Sequence, residues 1–157
     1  MSKYAFQNEI SENMAKACAK NLPFSTKHAI EICNFLRSKK VARVKAILER
    51  VKELKQPVPF KRFTEGCGHR KGNMLTGAYP EKAAGFILKV IQSAESNAIN
   101  KGLNSSNLVV KHICANRGMN QFRQGRKGRA RFKRTHIEIV VEEVKNKETT
   151  KKTGAKE

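Results

Sequence analysis

The chain has 157 residues with 33 Lys plus Arg against 13 Asp plus Glu, a formal charge of +20 and a pI near 10.2. Its 39% hydrophobic content suffices for one modest core, no apolar run reaches the roughly 18 residues that span a bilayer, and "MSKYAFQNEISENMAK" lacks the apolar block of a secretory signal. A single cytosolic or nuclear domain with a polyanionic partner is therefore expected, and a membrane span is not.

Residues 1–13 are polar and read as a loosely held N-terminal extension. In "MAKACAK", Met14, Lys16, Cys18 and Lys20 alternate with alanines, which predicts a short strand or an extended arm. A helix follows in "PFSTKHAIEICNFLRSKK". Ser25 or Thr26 is placed to cap it, Ile30, Cys33, Phe35 and Leu36 recur at helical spacing, and Arg37, Lys39 and Lys40 form a basic C-terminal end. In "KVARVKAILERVKELKQP" a second helix puts Val41, Val44, Ile47, Leu48, Val51 and Leu54 on one face and Arg43, Lys45, Arg50 and Lys52 on the other, with Pro57 ending it.

Residues 56–80 hold three prolines and four of the ten glycines, and so read as a long connecting loop. Lys61, Arg62, His69, Arg70 and Lys71 make contact with a phosphate backbone its expected use. "GCGHRKGN" lacks the GxxxxGK[ST] spacing that cradles nucleotide phosphates. The third helix lies in "PEKAAGFILKVIQSAESNAINKG", with Pro80 in its first turn, Ala84, Ile87, Leu88, Ile91, Ala94 and Ala98 on one face, and Gly102 as its stop.

"LVVKHICA" at 108–115 and "HIEIVVEE" at 136–143 are β-branched and alternating, and an antiparallel hairpin joins them most simply. Between Glu95 and Glu138 no acid occurs, while Lys and Arg occur ten times. Eight to ten residues on each arm, at about 3.3 Å per residue, would project a ribbon roughly 25 to 30 Å beyond the domain. Gly125 and Gly128 mark its tip. Such a ribbon has almost no core and faces like charges across its strands, so it is expected to stay incompletely ordered until a partner binds. Phosphates would supply the counter-charge, and Phe122 and Phe132 would stack on unpaired bases or on each other. The tail "KNKETTKKTGAKE", residues 145–157, is poor in apolar residues and expected to be disordered.

Cys18, Cys33, Cys67 and Cys114 form no CxxC pair, so reduced, packed thiols are expected; only Cys67 with His69 hints at a metal, and no cofactor is called for. The four histidines fall in separate elements, and no Ser/His/Asp, Cys/His or paired-carboxylate set can be assembled, which argues against an enzyme.

Several phrases resemble a known family: "VPFKRF" at 58–63, "AESNAINKGL" at 94–103, "LVVKHICAN" at 108–116 and "GRKGRARFKRTHIEIVVEE" at 125–143, together with the helix pair over residues 25–54. Over about residues 14–144 the chain is similar to the universal large-subunit ribosomal protein family numbered twenty-two in bacteria and seventeen in eukaryotes. The long Gly-rich segment before the third helix is of archaeal and eukaryotic type, which favours a eukaryotic cytosolic ribosome, assembled through the nucleolus. Eukaryotic members usually carry tryptophan where this chain reads "NMLTGAYP", and their hairpin is longer.

The resemblance implies an α+β fold, with three helices packed on a three-stranded antiparallel sheet and a long protruding basic β-hairpin at about residues 115–135. It implies a structural protein embedded in large-subunit ribosomal RNA beside neighbouring ribosomal proteins. Carried onto this chain, Arg123, Arg126, Lys127, Arg129 and Arg131 belong to the tip region, touching RNA. Gln124, Gly125, Arg126, Lys127, Gly128 and Arg129 line the exit tunnel and face the nascent polypeptide. Arg117, Lys133 and Arg134 fasten the arms to RNA. The alternative is a free-standing DNA or chromatin binder, since duplex DNA accepts the same charge.

Overall fold

The structure, a computed structural model, describes residues 4–7, 11–72 and 74–144. The expected disordered tail lies outside the described residues. In chain order the elements are β1 (Met14–Leu22), α1 (Thr26–Leu36), α2 (Val41–Lys52), β2 (Val58–Pro59), β3 (Gly77–Ala78), α3 (Glu81–Asn100), β4 (Leu108–Arg117) and β5 (Thr135–Glu143). The three helices pack on a three-stranded antiparallel sheet of order β1-β5-β4, as the α+β expectation required.

Strand alternation selects the core face. Three cross-strand rows run beneath the helices: Ala15–Val141–Val110, Ala17–Ile139–Ile113 and Ala19–Ile137–Ala115. The alanines of β1 therefore face inward, while Lys16, Cys18 and Lys20 are exposed. Small side chains at this row allow α3 to approach closely: Ala94 and Ala98 are fully buried, Asn97 Nδ2 donates to Lys16 O at 2.9 Å and Lys101 Nζ donates to Met14 O at 2.8 Å. Residues 4–7 lie on the opposite face of the sheet, where Ala5 N donates to Glu138 Oε2 at 2.7 Å and the Phe6 ring sits 5.4 Å from that of His112.

Several helix boundaries differ from expectation. Ser25 takes the extended N-cap conformation without a capping side-chain bond, and Thr26 Oγ1 instead pairs with Thr135 Oγ1 at 3.0 Å, tying α1 to β5. α1 stops at Leu36, so Lys39 and Lys40 do not end it. Ser38 N donates to Val110 O at 3.0 Å and Val110 N donates to Lys39 O at 2.9 Å, because the open edge of β4 offers unpaired backbone groups. α2 ends at Lys52, well before Pro57, as Leu54 adopts φ +60° and the amides of Lys55 and Gln56 donate to Arg50 O at 2.8 and 3.2 Å. That reversal removes Leu54 from the apolar face; it is 56% exposed, whereas Val41, Val44, Ile47, Leu48 and Val51 are buried.

α3 buries Ala84, Ile87, Ile91, Ala94 and Ala98 as expected, and Ala83 and Val90 besides. Pro80 precedes the helix as its N-cap, and the chain leaves it at Gly102 (φ +79°) with Leu103 N donating to Ala98 O at 3.0 Å. Residues 56–80 are more regular than a bare loop. β2 pairs with β3, Phe60 N donates to Thr76 O at 3.0 Å, and Thr76 Oγ1 donates to Phe60 O at 2.7 Å.

Candidate nucleic-acid interface

The loop cations Lys61 and Arg62 are held in place by an acid. Glu31, on the inner side of α1 and only 1% exposed, accepts hydrogen bonds from the backbone amides of Lys61, Arg62 and Phe63 at 3.2, 2.7 and 2.9 Å. A buried carboxylate requires donors, and three amides supply them, so the backbone at 61–63 is fixed while Lys61 and Arg62 remain exposed. Lys27 Nζ and the Arg62 guanidinium lie 5.5 and 5.4 Å from the Phe63 ring centroid.

His69 and Lys71 are exposed on the same segment. Arg70 folds onto its own ribbon, with Nε donating to Gly77 O at 3.1 Å and the guanidinium 5.0 Å from the Tyr79 ring centroid. Cys67 Sγ donates to Phe63 O at 3.7 Å, and no group of three or more His, Cys, Asp or Glu gathers for a metal among the described residues.

Beyond the last pair of β4 and β5, backbone bonds continue the hairpin. Gly118 N donates to Arg134 O, Phe132 N to Gln121 O and Arg123 N to Ala130 O, each at 2.8 Å. Met119 and Asn120 thus oppose Lys133 alone, a one-residue bulge at the root. The turn closes with Gly128 N donating to Gly125 O at 2.9 Å. Gly125 takes φ +78°, but Gly128 is right-handed at φ −56°, so only the first of the two expected tip glycines uses the left-handed region. Space is tight at Gly128 instead, since a Cβ there would lie 3.3 Å from Gly125 O.

Gln124, Arg126 and Arg129 are exposed around this turn, to which Lys127 contributes backbone. Phe122 and Phe132 are 58% and 42% exposed, and each carries a guanidinium: Arg131 lies 4.3 Å from the Phe122 ring centroid and Arg123 4.8 Å from that of Phe132. Across a ribbon without a core, these cation–π contacts hold the arginines against the rings.

At the root the three expected arm cations separate. Arg134 is drawn into the protein, with Nη1 donating to Asn21 O at 3.3 Å. Arg117 and Lys133 instead line an open groove of about 640 Å³ with Lys27, Ile30, Phe63 and Asn120. With its amide turned so that nitrogen meets acceptor and oxygen meets donor, Asn120 spans the ribbon, donating to Phe132 O at 3.1 Å and accepting from Arg117 Nη2 at 3.0 Å. Nearby, burial and then the Lys133 charge push the His28 pKa down. Sequence reasoning missed Lys27, Phe63 and Glu31, because nothing in their local spacing signals a meeting of α1, the loop and the hairpin.

Among the described residues the ion pairs are Lys45–Glu95, Lys55–Glu53 at 2.8 Å and Lys111–Glu142 at 3.0 Å. None uses a cation of the loop or the hairpin. An array of uncompensated Lys and Arg with exposed aromatic rings is suited to phosphates and unstacked bases.

Sequence comparison agrees with this chemistry. The family model described as Ribosomal protein L22p/L17e matches residues 17–142. The chain is 40% identical over 146 residues to the large ribosomal subunit protein uL22 of Archaeoglobus fulgidus, covering 88% of this chain and 94% of that one. The proteins of the same name from Nanoarchaeum equitans and Methanosphaera stadtmanae are 39% identical over 153 residues and 41% over 147, with coverage of 93% and 88%, and of 89% and 96%. With a match running from β1 into β5, and relatives aligned over most of both lengths, the chain belongs to the Ribosomal protein L22p/L17e family.

Proposed function

We propose that this protein is a structural, non-enzymatic constituent of the large ribosomal subunit, bound to large-subunit ribosomal RNA and neighbouring ribosomal proteins. Lys61, Arg62, His69, Arg70 and Lys71 contact RNA from the loop, and Arg117, Arg123, Arg126, Lys127, Arg129, Arg131, Lys133 and Arg134 from the hairpin. The segment from Gln124 to Arg129 lines the exit tunnel and faces the nascent polypeptide. The globular body docks on RNA surfaces, the ribbon clamps separate RNA segments, and its tip shapes the path of the emerging chain.

One observation carries this reading: among the described residues the loop and hairpin cations have no acidic ion-pair partner. A polyanion would supply the counter-charge that the protein does not. The protein's place is the cytoplasmic ribosome, and in a eukaryotic cell its assembly would pass through the nucleolus.

Sucrose-gradient fractionation of lysate, before and after a high-salt wash, tests the assignment. Retention in large-subunit and polysome fractions is expected. Recovery only at the top of the gradient, or with chromatin, would overturn it.

A further inference from the structure

The groove at the hairpin root is assembled from three separate segments. Lys27 and Ile30 come from the first turns of α1, Phe63 from the loop, and Arg117, Asn120 and Lys133 from the two arms. Each wall is anchored independently of any ligand. Glu31 fixes the backbone at Phe63, and Asn120 holds Arg117. Gly118 lets the arms close, since a Cβ there would meet Arg134 Cβ at 3.0 Å.

We propose that this groove holds one unpaired nucleotide of ribosomal RNA, its base against Ile30 and Phe63 and its flanking phosphates on Lys27, Arg117 and Lys133. The inference rests on the RNA-binding reading above and adds to it a pocket for a single base.

Shape, charge and chemistry agree. A volume of about 640 Å³ falls among clefts that enclose small organic ligands, roughly 300 to 1,000 Å³. Three cations and no acid line it, so the occupant is anionic. Ile30, Phe63 and Ala115 add apolar lining that a bare phosphate would leave unmatched and a base would cover. A base inside a duplex is covered on both faces by its neighbours, whereas an unstacked base can lay one face on side chains, which is how proteins usually recognise single-stranded RNA. The bulge at Met119 and Asn120 falls at the groove, which Asn120 lines.

The test uses the full chain bound to protein-free large-subunit ribosomal RNA, with base-specific chemical probing and filter-binding affinity. Phe63→Ala and, as surface changes that leave packing intact, Lys27→Gln and Lys133→Gln are compared with wild type after circular dichroism has verified folding. One base protected by the wild-type chain should become reactive in Phe63→Ala, with affinity roughly 10- to 100-fold weaker. In the Gln variants the same base should be partly exposed. Unchanged probing patterns with RNA still bound would overturn the pocket while leaving RNA binding intact. Failure of the wild-type chain to bind this RNA would overturn both. Crosslinks in intact subunits from Lys27 or Lys133 to another ribosomal protein would give the groove a protein occupant and also overturn the proposal.

Discussion

Single side chains decide how the basic surface is displayed. Glu31 is one of only 13 acids, and its three amide donors make it the positioning residue for Lys61 and Arg62. Glu31→Gln retains the shape but replaces one acceptor oxygen with a donor facing amides. It should cost about 1.5 to 3 kcal/mol in urea unfolding, with faster hydrogen exchange at the amides of Lys61, Arg62 and Phe63; unchanged exchange there would refute the positioning role. Histidines supply a pH dependence. Burial lowers His28 and His112 from 6.5, reinforced at His28 by Lys133 and at His112 by Arg37, with Glu138 opposing at His112. The unfolded chain takes up these protons near 6.5 and the folded chain only at lower pH, so stability falls as pH drops below 6.5. The melting temperature should decrease from about pH 7.5 to about pH 5.5, and less steeply in His112→Gln; equal slopes would exclude a contribution from His112.

Among elements, the hairpin differs most from the rest, being held by backbone bonds and arginine–aromatic pairs instead of a buried face. Deleting residues 124–129 should leave the melting temperature of the domain nearly unchanged, because no core residue lies there, while impairing large-subunit assembly or nascent-chain passage. Normal growth and normal responses to arrest peptides would contradict a tunnel role. The root is less tolerant. Gly118→Ala would place a methyl group 3.0 to 3.2 Å from Arg134 and should destabilise by about 1 to 3 kcal/mol, as overpacking does; a melting curve matching wild type would show that the arms can separate freely. Helix boundaries show why elements are harder to read than faces. The apolar rows of α2 and α3 were legible from spacing, but the ends of α1 and α2 were set by β4's open edge and by the left-handed turn at Leu54. The short β2–β3 pair was masked by proline and glycine.

For the whole molecule, charge is the governing quantity. RNA binding should weaken linearly in log–log terms with salt, and each phosphate-contacting cation replaced by Gln should reduce the slope by roughly 0.7 to 0.9. Arg117→Gln and Lys133→Gln, at exposed positions, are expected to do so, whereas Arg134→Gln, at a half-buried one turned toward Asn21 O, should change the slope less; equal effects at all three would erase that distinction. By itself the sequence determined the strands flanking the acid-free interval, the apolar helix faces and the family resemblance, and it was the resemblance that implied the α+β class. These are properties of order along the chain, where a period of two or 3.6 and a run without acids are visible locally. Tertiary structure alone decided that Glu31 would hold the loop 31 residues away, that Thr26 would meet Thr135 across 109, and that Lys27, Phe63 and Lys133 would share one groove. Convergence of distant segments depends on how the helices seat on the sheet, and no local spacing records it.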